Sequence, residues 1–231
     1  MKIKYIKGTC QNCKKNVDIA VDVNADVVYT ENDLASFNFY KNIGLSVCPH
    51  CGYIAQDITK DVPHNFDEIA NSDKFKYLYN YGYIKNLDKV DTYELERYVP
   101  NIYETYSYYM ANQKNYEESI RYLYRAVELK LATVKVMENN KYEDYDDDEI
   151  EDRNQIDLFI EYMKKSISRN QNGIIEMYKP TDNLYTKIMY IITLNNIGEK
   201  EKASKEFDEL QKLDIEETLT DYIKSKLEQT R

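Results

Sequence analysis

The chain has 231 residues, 42% of them hydrophobic and 31% charged, which suffices for one sizeable domain or two small ones with a packed core. Its net charge of −10 is unevenly distributed, because residues 1–60 sum to +1 and the remaining residues to −11. A broad phosphate-binding face is therefore disfavoured in the C-terminal part. No apolar run has the length of a signal peptide or a membrane span, which predicts a cytoplasmic protein.

The cysteines are the most informative residues near the N-terminus. Four are present, and they form two C-x2-C pairs: Cys10 with Cys13, and Cys48 with Cys51. Two thiolates two residues apart can bind one ion from a single tight turn, and a second such turn completes a tetrahedron of sulfurs that suits Zn²⁺. Gly52 follows the second pair, where the turn is expected to need a positive φ. The pattern therefore predicts a zinc site with these four cysteines as ligands.

Two other uses of the cysteines stay open at this point. A redox C-x2-C is typical of a helix N-terminus in a βαβ unit, whereas strand-like sequence surrounds both pairs here. Iron–sulfur clusters also use four cysteines but commonly at other spacings. A closed shell of four thiolates has no open coordination position, so the zinc is expected to be structural. His50 lies between two cysteines and is interpreted as a solvent-facing turn residue rather than a ligand.

Short strands are predicted around the cysteine pairs. The alternation of apolar and acidic residues over 17–23 indicates a half-buried strand, and weaker candidates are Ile3, Tyr5, 27–29 and 43–47. We interpret residues 1–62 as a β zinc ribbon, too small to be stable without metal, which would contribute on the order of 10 kcal/mol.

Residues 63–231 show helical spacing. A helix over 115–134 is predicted to begin at Asn115 with Glu118 completing a capping pattern, and Pro100 is expected to introduce its antiparallel partner. The same apolar and small pattern occurs twice, as in tetratricopeptide hairpins: Tyr103, Tyr106, Ser107, Met110, Ser119, Leu123, Ala126; and Lys187, Tyr190, Ile191, Leu194, Ala203, Phe207, Leu210. Ser119 and Ala203 are 84 residues apart, which is not a multiple of the ~34-residue repeat, so a regular array is not expected.

The rest of the helical part is predicted to contain an acidic segment and further helices. Eight of the ten residues 143–152 are acidic, which predicts a solvated loop near 142–153 or a frayed helix start, with a basic partner as its functional interpretation. A long helix is predicted over 156–178, with a kink at Gly173 and an end at Pro180, and a last helix from Asp214. Residues 75–83 fit a helix better than a strand. The fold class is thus α+β, mostly α.

The segment VCPHCGYIA at 47–55, with Cys10, Cys13 and the helical hairpins, resembles the bacterial family called domain of unknown function 2225. That family pairs a four-cysteine zinc-binding region with tetratricopeptide-like helices, and the resemblance implies the same layout and ligands here. Residues 24–46 match it loosely, and the acidic run is not part of its pattern. A second zinc-ribbon-and-helices family is similar at VPNIYETY and YLYRAVELK. Neither family implies an agreed activity.

Three functions compete on this basis. The sequence has no nucleotide-binding glycine motif and no zinc-protease motif, so a non-catalytic interaction or scaffold protein with an unidentified protein or peptide partner is the leading hypothesis. The alternatives are a nucleic-acid-associated zinc ribbon and a zinc–thiol redox sensor. The first is disfavoured by the charge balance and favoured by five lysines near the first cysteine pair: Lys2, Lys4, Lys7, Lys14 and Lys15.

Overall fold

The computed structural model describes residues 3–22, 45–48, 50–76, 92–140, 150–213 and 215–228. Short strands come first and long helices follow, which confirms the predicted α+β, mostly α class. Within these residues, no helix combines the length and apolar character that a membrane span requires.

The strands form two antiparallel hairpins. β1 (Ile3–Thr9) pairs with β2 (Asn16–Asp22), and β3 (Ser46–Val47) pairs with β4 (Ile54–Ala55). Each cysteine pair lies in the turn of one hairpin, as the ribbon prediction requires. The strand candidate at 27–29 lies outside the described residues.

The hairpins share a hydrophobic core with three helices, α1 (Phe66–Ala70), α2 (Thr92–Asn112) and α3 (Tyr116–Asn140). This ribbon–helix cluster contains Cys10, Cys48, Tyr53, Ile54, Ile58, Phe66, Phe75, Tyr103, Tyr106, Tyr109, Tyr122 and Ala126. It includes residues on both sides of the predicted domain boundary at 62/63, which stays a prediction. Residues 73–76 are helical, and the rest of the ambiguous 75–83 segment lies outside the described residues.

The α2–α3 hairpin forms where the repeat pattern places it. The Asn115 side chain accepts a hydrogen bond from the Glu118 N–H at 3.3 Å, so the predicted cap residue of α3 is confirmed. The reach-back by Glu118 is wrong, because the Asn115 N–H donates to the carbonyl of Met110 at 3.0 Å and the Glu118 carboxylate faces Gln56. Ser107 and Ser119 are buried where the helices meet, with their Oγ atoms 2.9 Å apart, as their small size predicts. The prediction that Pro100 starts the first helix is wrong, because α2 begins at Thr92 and includes it. A proline inside a helix removes one backbone hydrogen bond and its ring crowds the carbonyl four residues earlier, so contacts elsewhere along α2 must offset this cost.

The remaining helices form a second core against α3. They are α4 (Ile150–Met177), α5 (Leu184–Asn196), α6 (Lys200–Gln211) and α7 (Glu217–Glu228). Helix α4 passes through Gly173 without interruption, and a Cβ there would lie 3.2 Å from Leu123 Cδ2, so the glycine allows close packing on α3. The predicted start at Asp214 is wrong, because residues 215 and 216 are not helical; the carbonyl of Glu216 accepts the first backbone bonds of α7. Of the acidic run, residues 150–152 are helical and 143–149 lie outside the described residues.

A buried charge network joins α2, α3 and α4. Lys130 Nζ is 2.5 Å from Glu104 Oε2 and donates to Ser166 Oγ at 2.7 Å, and Arg169 donates to Glu104 Oε1 at 2.6 Å. Burial acts to raise the pKa of Glu104, but Lys130 and Arg169 outweigh it and lower that pKa overall. Burial lowers the pKa of Lys130, and the Glu104 carboxylate offsets part of this effect.

Candidate metal centre and helical groove

The four cysteine sulfurs converge on one point. All four Sγ atoms lie within 4.8 Å of one another, with Cys10 and Cys51 at 3.8 Å and Cys13 and Cys48 at 3.7 Å. A tetrahedral ion with metal–sulfur bonds of about 2.3 Å requires sulfurs about 3.8 Å apart. A disulfide requires about 2.05 Å, and all four thiols are free. The geometry therefore fits a metal ion and not a disulfide.

The two cysteine turns, residues 10–15 and 48–53, have the same backbone hydrogen bonds. The first cysteine of each turn accepts from the residue four positions later, Lys14 N–H at 3.0 Å and Gly52 N–H at 2.9 Å. The N–H of each first cysteine donates to the carbonyl five positions later, Lys15 at 3.0 Å and Tyr53 at 2.8 Å. The two turns are thus closed by equivalent backbone hydrogen bonds, and each presents two thiols to the same point.

That shape requires a left-handed residue directly after each pair. Gly52 has φ 74°, as the sequence predicts, and Lys14 has φ 58° at the equivalent position of the first turn. A residue with a Cβ is strained in this region, so Lys14 holds an unfavourable conformation that the turn imposes. The sequence does not indicate the positive φ at Lys14, because lysine, unlike glycine, has no preference for the left-handed region.

Backbone N–H groups and burial act on the thiols in opposite directions. Burial raises the pKa of Cys48 and Cys51, although backbone N–H groups donate to both sulfurs. Burial also acts to raise the pKa of Cys13, but the N–H of Lys15 and the neighbouring thiols lower it overall. Thiolates are the form that binds metal, and several of them in so small a buried space require a cation among them. The donor set suits a tetrahedral metal ion.

Side chains in the turns connect the centre to its surroundings. Asn12 Nδ2 lies 3.7 Å from Cys51 Sγ and donates to Asp67 Oδ1 in α1 at 2.9 Å. His50 is exposed, and its Nε2 lies 3.1 Å from the carbonyl oxygen of Asn16, so it is not among the four convergent ligands, in agreement with the sequence interpretation.

The centre is attached to the helices on its buried side. Gln11 donates through its backbone N–H to the carbonyl of Ile58 at 2.8 Å. The Tyr53 ring, next to the second turn, packs edge-on against Phe66 at 5.0 Å and Tyr109 at 6.5 Å between centroids. An ion at the four sulfurs would therefore fix the position of the hairpins on α1 and α2.

A separate groove of about 570 Å³ lies between α2, α3, α5 and α7, a volume typical of ligand sites. Its lining combines apolar, tyrosine and charged side chains, among them Leu129, Ile192, Leu219, Tyr124, Tyr222 and Arg121. Tyr185 at its edge is 64% exposed. The sequence has no direct signal for this groove, because its lining comes from four helices, α2, α3, α5 and α7, whose relative placement is a tertiary property.

Searches find no protein-family model, no curated protein and no solved structure that matches the chain.

Proposed function

We propose that Cys10, Cys13, Cys48 and Cys51 bind one structural Zn²⁺. The observation that supports this is the separation of the sulfurs, 3.8 Å and 3.7 Å in the two close pairs, which is the spacing of a tetrahedral zinc–thiolate site. Four protein ligands leave no coordination position for a substrate, so the ion stabilises the fold. Zinc is chosen over iron because the ribbon framework and a closed thiolate shell are typical of structural zinc.

Elemental analysis of protein purified without added metal tests this proposal. We expect one zinc per chain in the wild type and in His50→Ala, a matched control that alters the same turn without removing a ligand. Cys48→Ser should lose most of the zinc because its sulfur is fully buried at the centre. Iron in place of zinc, or no metal at all, would contradict the assignment.

We further propose that the protein is a non-catalytic interaction protein, with the groove as its partner-binding surface. Grooves between stacked helical hairpins bind peptides and partner helices, and tyrosines are enriched at such interfaces. We also propose that the chain is related to the domain of unknown function 2225 family and that its hairpins are tetratricopeptide-like. A cytoplasmic location is part of the same proposal, and it is consistent with four free cysteines that bind a metal rather than form disulfides.

Site-specific crosslinking in the native cell tests the groove. A photo-reactive phenylalanine analogue at Tyr185 should yield a defined crosslinked product. The same analogue at Lys212, an exposed position at the end of α6 outside the groove lining, should not. Met189→Glu, which places a charge in the groove, should abolish the product. Equal products at both positions, or none above background from a monomeric protein, would count against a groove partner.

A further inference from the structure

We propose that metal occupancy controls the shape of the groove, and that Gln56 is the residue that transmits it. This inference rests on the proposed function, because it couples the proposed zinc centre to the proposed partner surface. It adds a regulatory property that neither site has alone.

Gln56 directly follows β4, the strand that leaves the second cysteine turn. Its Nε2 donates to Glu118 Oε1 at 3.2 Å and to Tyr122 OH at 3.4 Å, both on α3. Glu118 lines the groove, and its other carboxylate oxygen lies 3.4 Å from Arg121, which also lines it. The side chain of Gln56 therefore connects the metal-binding hairpin to the groove rim.

Aromatic packing provides a second connection between the same two sites. Ring centroids are 6.5 Å apart from Tyr53 to Tyr109, 6.4 Å from Tyr109 to Tyr106 and 4.7 Å from Tyr106 to Tyr122. Tyr122 then packs at 5.6 Å on Tyr103, which lines the groove. A displacement of Tyr53 would thus alter the packing behind the groove wall.

The element with two states is the β3–β4 hairpin. Its strands have two residues each, so the hairpin depends on the core contacts of Tyr53 and Ile54 together with the metal that joins its turn to the other hairpin. When the metal leaves, Gln56 and Tyr53 lose their fixed positions, and the Glu118 carboxylate loses Gln56 while it keeps its contact with Arg121. A ligand that binds the groove more tightly when metal is bound must therefore also strengthen metal binding, since such coupling is reciprocal.

Hydrogen exchange of the full-length protein, zinc-loaded and after treatment with excess EDTA, tests the coupling. We expect chelation to speed exchange of the amides of residues 119–123 about fivefold relative to residues 200–207, because the rim loses hydrogen bonds. Helix α6 provides this internal reference, because its residues neither line the groove nor belong to the ribbon–helix cluster.

Gln56→Ala should raise exchange at 119–123 about threefold while the protein still holds one zinc, and chelation should then add less than in the wild type. Tyr122→Phe, which removes the hydroxyl partner of Gln56 and leaves its carboxylate partner Glu118, should give a smaller change in the same direction. Gln211→Ala, an exposed glutamine at the end of α6, is the matched control and should change nothing. The coupling is refuted if chelation leaves the exchange rate of residues 119–123 unchanged. It is also refuted if chelation raises that rate in Gln56→Ala by as much as in the wild type. A chain purified without zinc would instead contradict the proposed function.

Discussion

The buried Lys130–Glu104 pair allows a quantitative test of the packing between α2, α3 and α4. The Lys130 side chain is fully buried and that of Glu104 is 7% exposed, so neither charge has water as an alternative partner. Glu104→Leu leaves the lysine buried without its carboxylate. Breaking such a pair from one side lowers the free energy of unfolding by about 3–5 kcal/mol. Lys130→Met should lower it by about 1–3 kcal/mol, because Glu104 keeps Arg169.

The double variant separates this explanation from simple loss of packing. Leucine and methionine together replace the pair by apolar side chains of similar volume, and such replacements are often neutral. We therefore expect Glu104→Leu/Lys130→Met to unfold within about 1 kcal/mol of the wild type, so the single effects are strongly non-additive. Arg169→Ala is the control: its side chain is 51% exposed, and its loss should lower the free energy of unfolding by no more than about 1 kcal/mol.

Urea unfolding followed by circular dichroism at saturating zinc measures these differences. The chain has no tryptophan, so helix content is a more direct signal than fluorescence. Two results would refute the reasoning. One is a Glu104→Leu variant that loses less than about 1 kcal/mol, and the other is a double variant whose loss equals the sum of the single losses.

Three further predictions follow from individual residues. Gly52→Ala, which puts a Cβ at φ 74°, should weaken metal binding about tenfold in a chelator competition. Lys14→Gly at φ 58° should not weaken it, and equal losses would contradict the claim that both positions require a left-handed backbone. Gly173→Ala should be nearly neutral in urea unfolding, because better helix propensity offsets a contact of 3.2 Å with the flexible end of Leu123, whereas Gly173→Leu should cost about 1–3 kcal/mol. The pKa of Glu104 is lowered in the fold, so its ionised form contributes stability that is complete above its ordinary pKa and is lost as the pH falls below it. From about pH 5 to about pH 3 the wild type should therefore lose more stability than Glu104→Leu, with metal content followed in both; equal losses would exclude this contribution.

Local chemistry in the sequence predicts the metal centre well. The C-x2-C spacing identifies all four convergent thiols, and Gly52 signals the turn shape. Asn115 predicts the start of α3 because a cap is a local interaction. These features depend on residues a few positions apart, and the sequence displays them directly.

Features that depend on packing between distant segments are not evident from the sequence. Pro100 has the properties of a helix start, yet α2 begins eight residues earlier, at Thr92. Lys130 and Glu104 look like two of many surface charges until three helices enclose them. Gly173 has the properties of a kink, but its function depends on Leu123, 50 residues away along the chain. Gln56 is one polar residue among many, and only its position against α3 gives it a role.

The two matched turns also limit how the chain around the sulfurs can vary. Each turn closes through two backbone hydrogen bonds, one from the N–H and one to the carbonyl of its first cysteine, and these bonds fix the number of residues between the two thiols. An insertion or deletion inside either turn would break this closure and displace one thiol from the other three. Each turn should therefore be far more sensitive to a change of length than to the substitution of an exposed position such as His50.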